Sequence, residues 1–259
     1  MSSFPVNNRP AINGMIVSAI IFMFLHSGFV PPESFRDQQK KFERVRTAYQ
    51  EKEASVRKAI ENKSVDPNHF RILIRVFKKE GELELWAHSI STDTFCLVST
   101  YRVCASSGTI GPKRKEGDGQ VPEGFYYVNR FNPASNFYLS LGINYPNESD
   151  RILSDHRNPG GDIFIHGNCV TIGCIPITDD KIKEIYVMSV ESKTNGGDIP
   201  VYIFPCRMHE TGMKYLESQR PGDKEQLSFW QNLKEGYDEF EKKKNILHFK
   251  VDKNGAYIF

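Results

Sequence analysis

The chain has 259 residues, enough for one large domain or two small ones at about 100–200 residues per domain. Charged residues are 25% and hydrophobic residues 39%, a globular balance that supports a sizeable core. The net charge of +2 is too near neutral to point to nucleic acid.

Residues 1–30 stand apart from the rest. Arg9 is the one charge among the first 32 residues, and Met15 to Phe29 is apolar apart from Ser18, His26 and Ser27. A weakly basic lead, an apolar core and then Val30-Pro31-Pro32 is the pattern of a secretory signal or an N-terminal membrane anchor, and it predicts export. The apolar core is at the short end for a spanning helix, which needs about 20 residues. Residues 31–66 read as a helical connector. Phe42, Val45, Tyr49, Val56 and Ile60 recur near helical spacing among mixed charges, and Asp66-Pro67-Asn68 forms a turn.

Strand signals then follow one another. Phe70 to Phe77 alternates, Lys78 to Gly81 turns, and Leu83 to Ala87 alternates again, which is a β-hairpin. Thr94 to Ser106 reads as a third strand. Gly108 to Gly124 is rich in glycine and charge, and Phe125–Val128 and Phe137–Leu141 are further strands. Short strands at this spacing indicate a sandwich or barrel-like sheet.

The stretch Ile163-Phe164-Ile165-His166-Gly167-Asn168-Cys169-Val170-Thr171-Ile172-Gly173-Cys174 carries the chemistry. A short apolar strand delivers His166 at its end, Gly167 allows a sharp turn, and Gly173 permits close backbone approach before Cys174. Acyl transfer by a thiol needs a base within hydrogen-bond reach and N–H groups aimed at the developing oxyanion. A His–Gly turn followed by a Gly–Cys turn can supply all three, although a buried inert cysteine is the commoner arrangement.

Thr178-Asp179-Asp180 starts a helix, with Thr178 as N-cap and two carboxylates at its positive end. Ile199 to Phe204 is a last core strand. Met213–Gln219 and Gln226–Lys243 read as helices, and the chain closes on a hairpin, Leu247–Val251 with Ala256–Phe259. Five cysteines, at 96, 104, 169, 174 and 206, leave at least one thiol free or paired with another chain. Cys96 and Cys104 lie along one strand, too far apart to bridge each other if it is straight.

Three segments together resemble the L,D-transpeptidase (YkuD-type) catalytic domain family of bacterial cell-wall enzymes, within which the YafK-like branch matches best. They are Gly111 to Gly124, with its Gly117-Asp118-Gly119-Gln120-Val121-Pro122-Glu123-Gly124 turn, Ser140 to Asn147, and Ile165 to Cys174. Val201 to Met208 and Phe229 to Tyr237 are similar to that branch's C-terminal extension. The resemblance runs from about residue 70 to the end.

The resemblance implies that Cys174 is the nucleophile toward a peptide carbonyl in a peptidoglycan stem, after the L-centre of meso-diaminopimelate. His166 would be the base. The N–H groups of Gly173 and Cys174 would form the oxyanion hole, with Ile172 a third candidate. A thioester would follow, resolved by an amine or by water, with no cofactor and no metal. The family's common run is Ser-His-Gly-Cys-x-Arg, whereas this chain has Thr171-Ile172-Gly173-Cys174-Ile175-Pro176, without that histidine and arginine. Cleavage of a stem-peptide or protein–peptidoglycan linkage therefore stands beside transpeptidation, and a non-catalytic wall-binding module is the alternative of another class.

Around this centre, Lys113 and Arg114 are candidates to hold stem-peptide carboxylates, and Asn168 and Thr171 to orient base or nucleophile. Cys169 reads as a packed cysteine, a second reactive thiol or a redox partner of the nucleophile, and His156 as a surface loop residue. The expected partners are peptidoglycan stem peptides and a wall-attached lipoprotein, in the periplasmic cell envelope. The fold expected is mainly β, α+β overall: a catalytic domain over 67–206 and a helical C-terminal extension over 207–259.

Overall fold

The computed structural model describes residues 1–3 and 32–259. The apolar segment expected to direct export lies outside the described residues. Residues Glu33–Phe259 form one compact unit.

The connector is two helices, α1 (Phe35–Lys40) and α2 (Glu43–Glu61). Val45, Ala48, Tyr49, Val56 and Ile60 form the buried stripe of α2. Phe42, expected in that stripe, is the N-cap residue and stays exposed. After the turn come β1 (Phe70–Phe77), β2 (Glu82–Ser89), β3 (Cys96–Arg102), β4 (Gly124–Asn132) and β5 (Ser140–Ile143). A short helix that the sequence pattern did not suggest, α3 (Glu148–Leu153), opens with a capping box between Asn147 and Asp150. Then follow β6 (Phe164–His166), β7 (Ile175–Pro176), α4 (Asp179–Thr194) and β8 (Pro200–Phe204). Helices α5 (Glu210–Gln219) and α6 (Lys224–Lys243) and the small hairpin β9 (Lys250–Val251) and β10 (Tyr257–Ile258) complete the chain.

The fold is α+β. Strands β1 to β8 form one mixed sheet in the order β3-β2-β1-β8-β4-β5-β6-β7. β8 is the seam: it pairs parallel with β1 and antiparallel with β4, joining the β1–β3 meander to the β4–β7 half. The sheet curls until its edges approach, because Cys104, just beyond β3, donates its N–H to the carbonyl of Pro176 in β7.

Alternation along the strands sends side chains into two different cores. Ile72, Ile74 and Val76 of β1 join Val201 and Ile203 of β8, Leu141, Ile165 and Ile175 in a largely aliphatic core under α2 and α4. Leu73 and Phe77 join Trp86, Phe125, Phe204, Trp230 and Phe240 in an aromatic core under α5 and α6. Fully burying such a side chain contributes about 1.5–3 kcal/mol, so both faces of the sheet are needed.

The aromatic face also buries charge. The Arg75 guanidinium lies over the rings of Phe77 and Phe240 and donates to Glu241 at 2.8 Å. Glu123 is fully buried. It accepts from Lys78 Nζ (2.8 Å), from the Gly111 N–H (2.9 Å) and from Trp230 Nε1 (2.8 Å). One carboxylate thereby ties β1, the glycine-rich loop and α6 together.

Candidate active site

The aromatic core covers its face of the sheet over β2, β1, β8 and β4. Beyond β4 the register continues without that cover. Leu141, Ile165 and Ile175 align on the aliphatic side, so Phe164, His166, Cys174 and Pro176 fall on the opposite one. His166 ends β6, and Cys174 immediately precedes β7, its parallel neighbour.

His166 is 1% exposed, and the Phe137 ring lies beside it at 4.7 Å between centroids. Its Nδ1 is 2.5 Å from the Gly167 carbonyl oxygen. A carbonyl only accepts, so Nδ1 carries the proton and Nε2 carries the lone pair. Burial pushes the imidazole below its ordinary 6.5, partly opposed by the bond to Gly167, which favours the neutral ring at neutral pH. Gly167 is required here, because a Cβ would stand 2.6 Å from Asp179 Oδ1 and 2.8 Å from the Phe137 carbonyl oxygen. The same Asp179 oxygen, in the first turn of α4, accepts the N–H of Asn168 at 2.8 Å and fixes the turn after the histidine.

Cys174 is half-buried, and its thiol lies 3.6 Å from the Asp162 carbonyl oxygen. Burial holds the thiol above its ordinary 9.0; the Phe164 N–H and the Lys113 cation pull it down, while Asp162 pushes it up. At neutral pH these directions favour a protonated thiol and a neutral imidazole, so a thiol here would need a base to react.

Thr171 Oγ1 accepts the Cys174 N–H at 2.8 Å and donates to the Cys174 carbonyl at 2.8 Å, clamping the turn. Gly173 has φ +102° and packs its Cα against the Gln120 carbonyl, where a Cβ would approach to 3.1 Å. Its N–H donates to Ser107 Oγ at 2.7 Å. Two of the three N–H groups expected to form an oxyanion hole are thus already paired within the protein. That of Ile172 has no partner among the described residues, and its side chain is 87% exposed.

The remaining candidates separate. Lys113 is buried, and its Nζ donates to Asp118 Oδ1 and to the Lys115 carbonyl, both at 2.8 Å. Asp118 also accepts the N–H groups of Arg114, Lys115 and Gln120, which explains the Gly-Asp-Gly turn. Lys113 is thus a fixed charge near the thiol. Arg114 lies over the Phe229 ring and 3.6 Å from Asp150, in a cleft of about 580 Å³ with Leu153, Asp223 and Asn254. It faces the C-terminal extension. Asn168 (φ +63°) and His156 are exposed.

Cys169 differs from each role read for it. It forms a disulfide with Cys104, at a Cα–Cα distance of 5.4 Å, and leaves Cys96, Cys174 and Cys206 free. Sequence spacing gave no signal for that pair, 65 residues apart and brought together by the curl of the sheet. Ser107 was missed for the same reason.

A buried imidazole and a half-buried thiol lie on the same side of adjacent parallel strands, the two kinds of group that acyl transfer by a thiol requires. Residues 73–203 match the family model of the L,D-transpeptidase catalytic domain (YkuD). The chain belongs to that family. It is 35% identical over 190 residues to the protein named "Putative L,D-transpeptidase YafK" in Escherichia coli strain K12, covering 72% of this chain and 73% of the relative; the O157:H7 protein of that name gives the same values. Among solved structures, the helical cell shape determining protein Pgp2 of Campylobacter jejuni aligns at TM-score 0.43 and 16% identity, covering 71% of this chain and 74% of that one. Bd1075 of Bdellovibrio bacteriovorus aligns at 0.39 and 19%, covering 70% and 74%.

Proposed function

We propose that the protein is a peptidoglycan-directed cysteine acyl-transferase acting on meso-diaminopimelate-containing stem peptides through a thioester on Cys174. The observation that supports this reading is the placement of a neutral His166, its lone pair on Nε2, and the Cys174 thiol on the same side of the adjacent strands β6 and β7. His166 takes the thiol proton as sulfur attacks the carbonyl carbon, and returns it to the leaving amine. An acceptor amine resolving the thioester completes transpeptidation. Water in its place makes the protein a hydrolase of stem-peptide or protein–peptidoglycan linkages, such as one to a wall-attached lipoprotein. Thr171 holds the nucleophile's backbone, and Lys113 supplies a fixed positive charge near the sulfur. The disulfide supports an oxidising compartment, in keeping with a periplasmic location.

The test is to incubate the full chain, with Cys174→Ala as control, with tetrapeptide muropeptides and, separately, with intact sacculi. An acyl adduct on Cys174 with exchanged or cross-linked products establishes transpeptidation. An adduct or turnover that yields hydrolysed products alone establishes the cleaving enzyme. Folded protein giving neither adduct nor product with either substrate leaves a wall-binding module.

A further inference from the structure

An oxyanion hole converges donors on the oxygen that becomes negative. Here Thr171 occupies the Cys174 N–H and Ser107 occupies the Gly173 N–H, so the backbone alone leaves that of Ile172. Ser107 differs from Thr171 in one respect. Thr171 Oγ1 donates its proton to the Cys174 carbonyl, whereas the Ser107 O–H finds no acceptor among the described residues. A hydroxyl that accepts from an N–H is polarised into a stronger donor. This one stands 2.7 Å from the nitrogen of the residue before the nucleophile.

The segment that carries Ser107 is stitched to the nucleophile's loop on either side of that contact. Cys104, three residues before Ser107, is bonded to Cys169, four residues before Gly173. The Cys104 N–H also donates to the Pro176 carbonyl at 3.0 Å, two residues after Cys174. A disulfide, a backbone bond and a side-chain bond thus fix one segment against one loop.

We propose that Ser107 is a further catalytic residue, its hydroxyl donating to the substrate oxyanion while Gly173 N–H holds its oxygen, and that the Cys104–Cys169 disulfide keeps it in place. This inference rests on the acyl-transfer reading of Cys174. In the step concerned, Cys174 Sγ bonds to the carbonyl carbon and the thiol proton passes to His166 Nε2. The carbonyl π electrons move onto oxygen, where the Ser107 O–H meets them. Collapse restores the carbonyl and breaks the bond to the amine, which leaves with the proton from His166.

The experiment compares the full chain with Ser107→Ala, Ser107→Thr and the double variant Cys104→Ser/Cys169→Ser. Acylation of Cys174 by tetrapeptide muropeptides is followed by intact mass, and alkylation of Cys174 by iodoacetamide is followed on its peptide, since alkylation has no oxyanion. Ser107→Ala is expected to lower kcat about 100-fold with KM little changed and alkylation within about twofold of the parent. Ser107→Thr, which keeps the hydroxyl, is expected to recover most of the loss. The double variant is expected to lose about tenfold in acylation, with alkylation preserved. Ser107→Ala acylating within about threefold of the parent overturns the role of Ser107, and equal loss in acylation and alkylation assigns it a structural one. A parent that alkylates but never acylates instead overturns the acyl-transfer reading on which this rests.

Discussion

One face of the sheet has two halves that the same chain treats in opposite ways. Over β2, β1, β8 and β4 it is roofed by α5 and α6, and the buried cations Arg75 and Lys78 are matched, Arg75 by Glu241 and Glu84 and Lys78 by Glu123. Over β6 and β7 the cover is not α5 and α6: His166 is buried beside Phe137, and among the described residues His166 has no ion pair, while burial favours the neutral forms of His166 and Cys174. Burying an unmatched charge is costly, so a covered half must pair its ions. A buried titratable group with no ionic partner is held in its neutral form. The two halves meet at Glu123, whose loop runs on through Gln120 to the back of Gly173.

Removing the roof at that meeting point should have the largest effect. Trp230→Ala takes away a fully buried ring and the donor to Glu123, and should cost about 3–5 kcal/mol of unfolding free energy in urea. Trp230→Phe keeps most of the volume and should cost clearly less. If the halves are coupled as described, Trp230→Ala also slows Cys174 acylation at temperatures where the protein remains folded; unchanged acylation would make the roof independent of the site.

Asp150 sharpens the comparison as a buried carboxylate with a poorer match. Its nearest cation, Arg114, stands 3.6 Å away, and burial lifts the carboxyl from 3.8 to about 6, against hydrogen bonds from Asn147 and Tyr126. A raised folded-state pKa favours the protonated form. Its contribution to stability is therefore full below pH 3.8 and is lost as pH rises through about 6. Relative to Asp150→Asn, the parent should lose up to about 3 kcal/mol of stability between pH 4 and pH 7, read from urea midpoints across that range. Parallel curves for the two proteins would remove Asp150 as the cause.

The open half makes its own prediction. With burial lowering His166 and raising Cys174, the acid limb of acylation should have its midpoint below 6.5. Alkylation of Cys174 by iodoacetamide should have a midpoint above 9.0. An alkylation midpoint well below 9.0 would mean a preformed thiolate–imidazolium pair and would break the contrast between the halves.

The smallest effect belongs to the opposite, aliphatic face. Ile185→Val in α4 removes one buried methylene and should cost about 0.5–1.5 kcal/mol while leaving the reactivity of Cys174 unchanged.

Much of this was legible beforehand. The ends of β1 are legible because Phe70 to Phe77 is an apolar run broken only by Arg71 and Arg75 and closed by a turn at Lys78 to Gly81, and the start of α4 follows from Thr178-Asp179-Asp180. Gly167 and Gly173, which the sequence places beside His166 and Cys174, stand where the backbone demands glycine. Local pattern could not reveal what the curl of the sheet assembles. Cys104 and Ser107 come from the far end of the strand order, and their partners at Cys169 and Gly173 carry no matching signal. The run of basic residues looks uniform in the sequence, yet its members point to different neighbours, Lys113 to Asp118 and Arg114 to Phe229 and Asp150.

The central strand β8 has a consequence for how the molecule is made. It is the last strand of the sheet to leave the ribosome, yet it lies between β1 and β4. Until residue 204 has emerged, the strand that pairs with both β1 and β4 is missing, although His166 and Cys174 are already synthesised. A nascent chain therefore carries its thiol for some thirty residues before the strand that unites the sheet arrives. Chains cut short before β8 are expected to contain the cysteine and histidine without assembling them into a working centre.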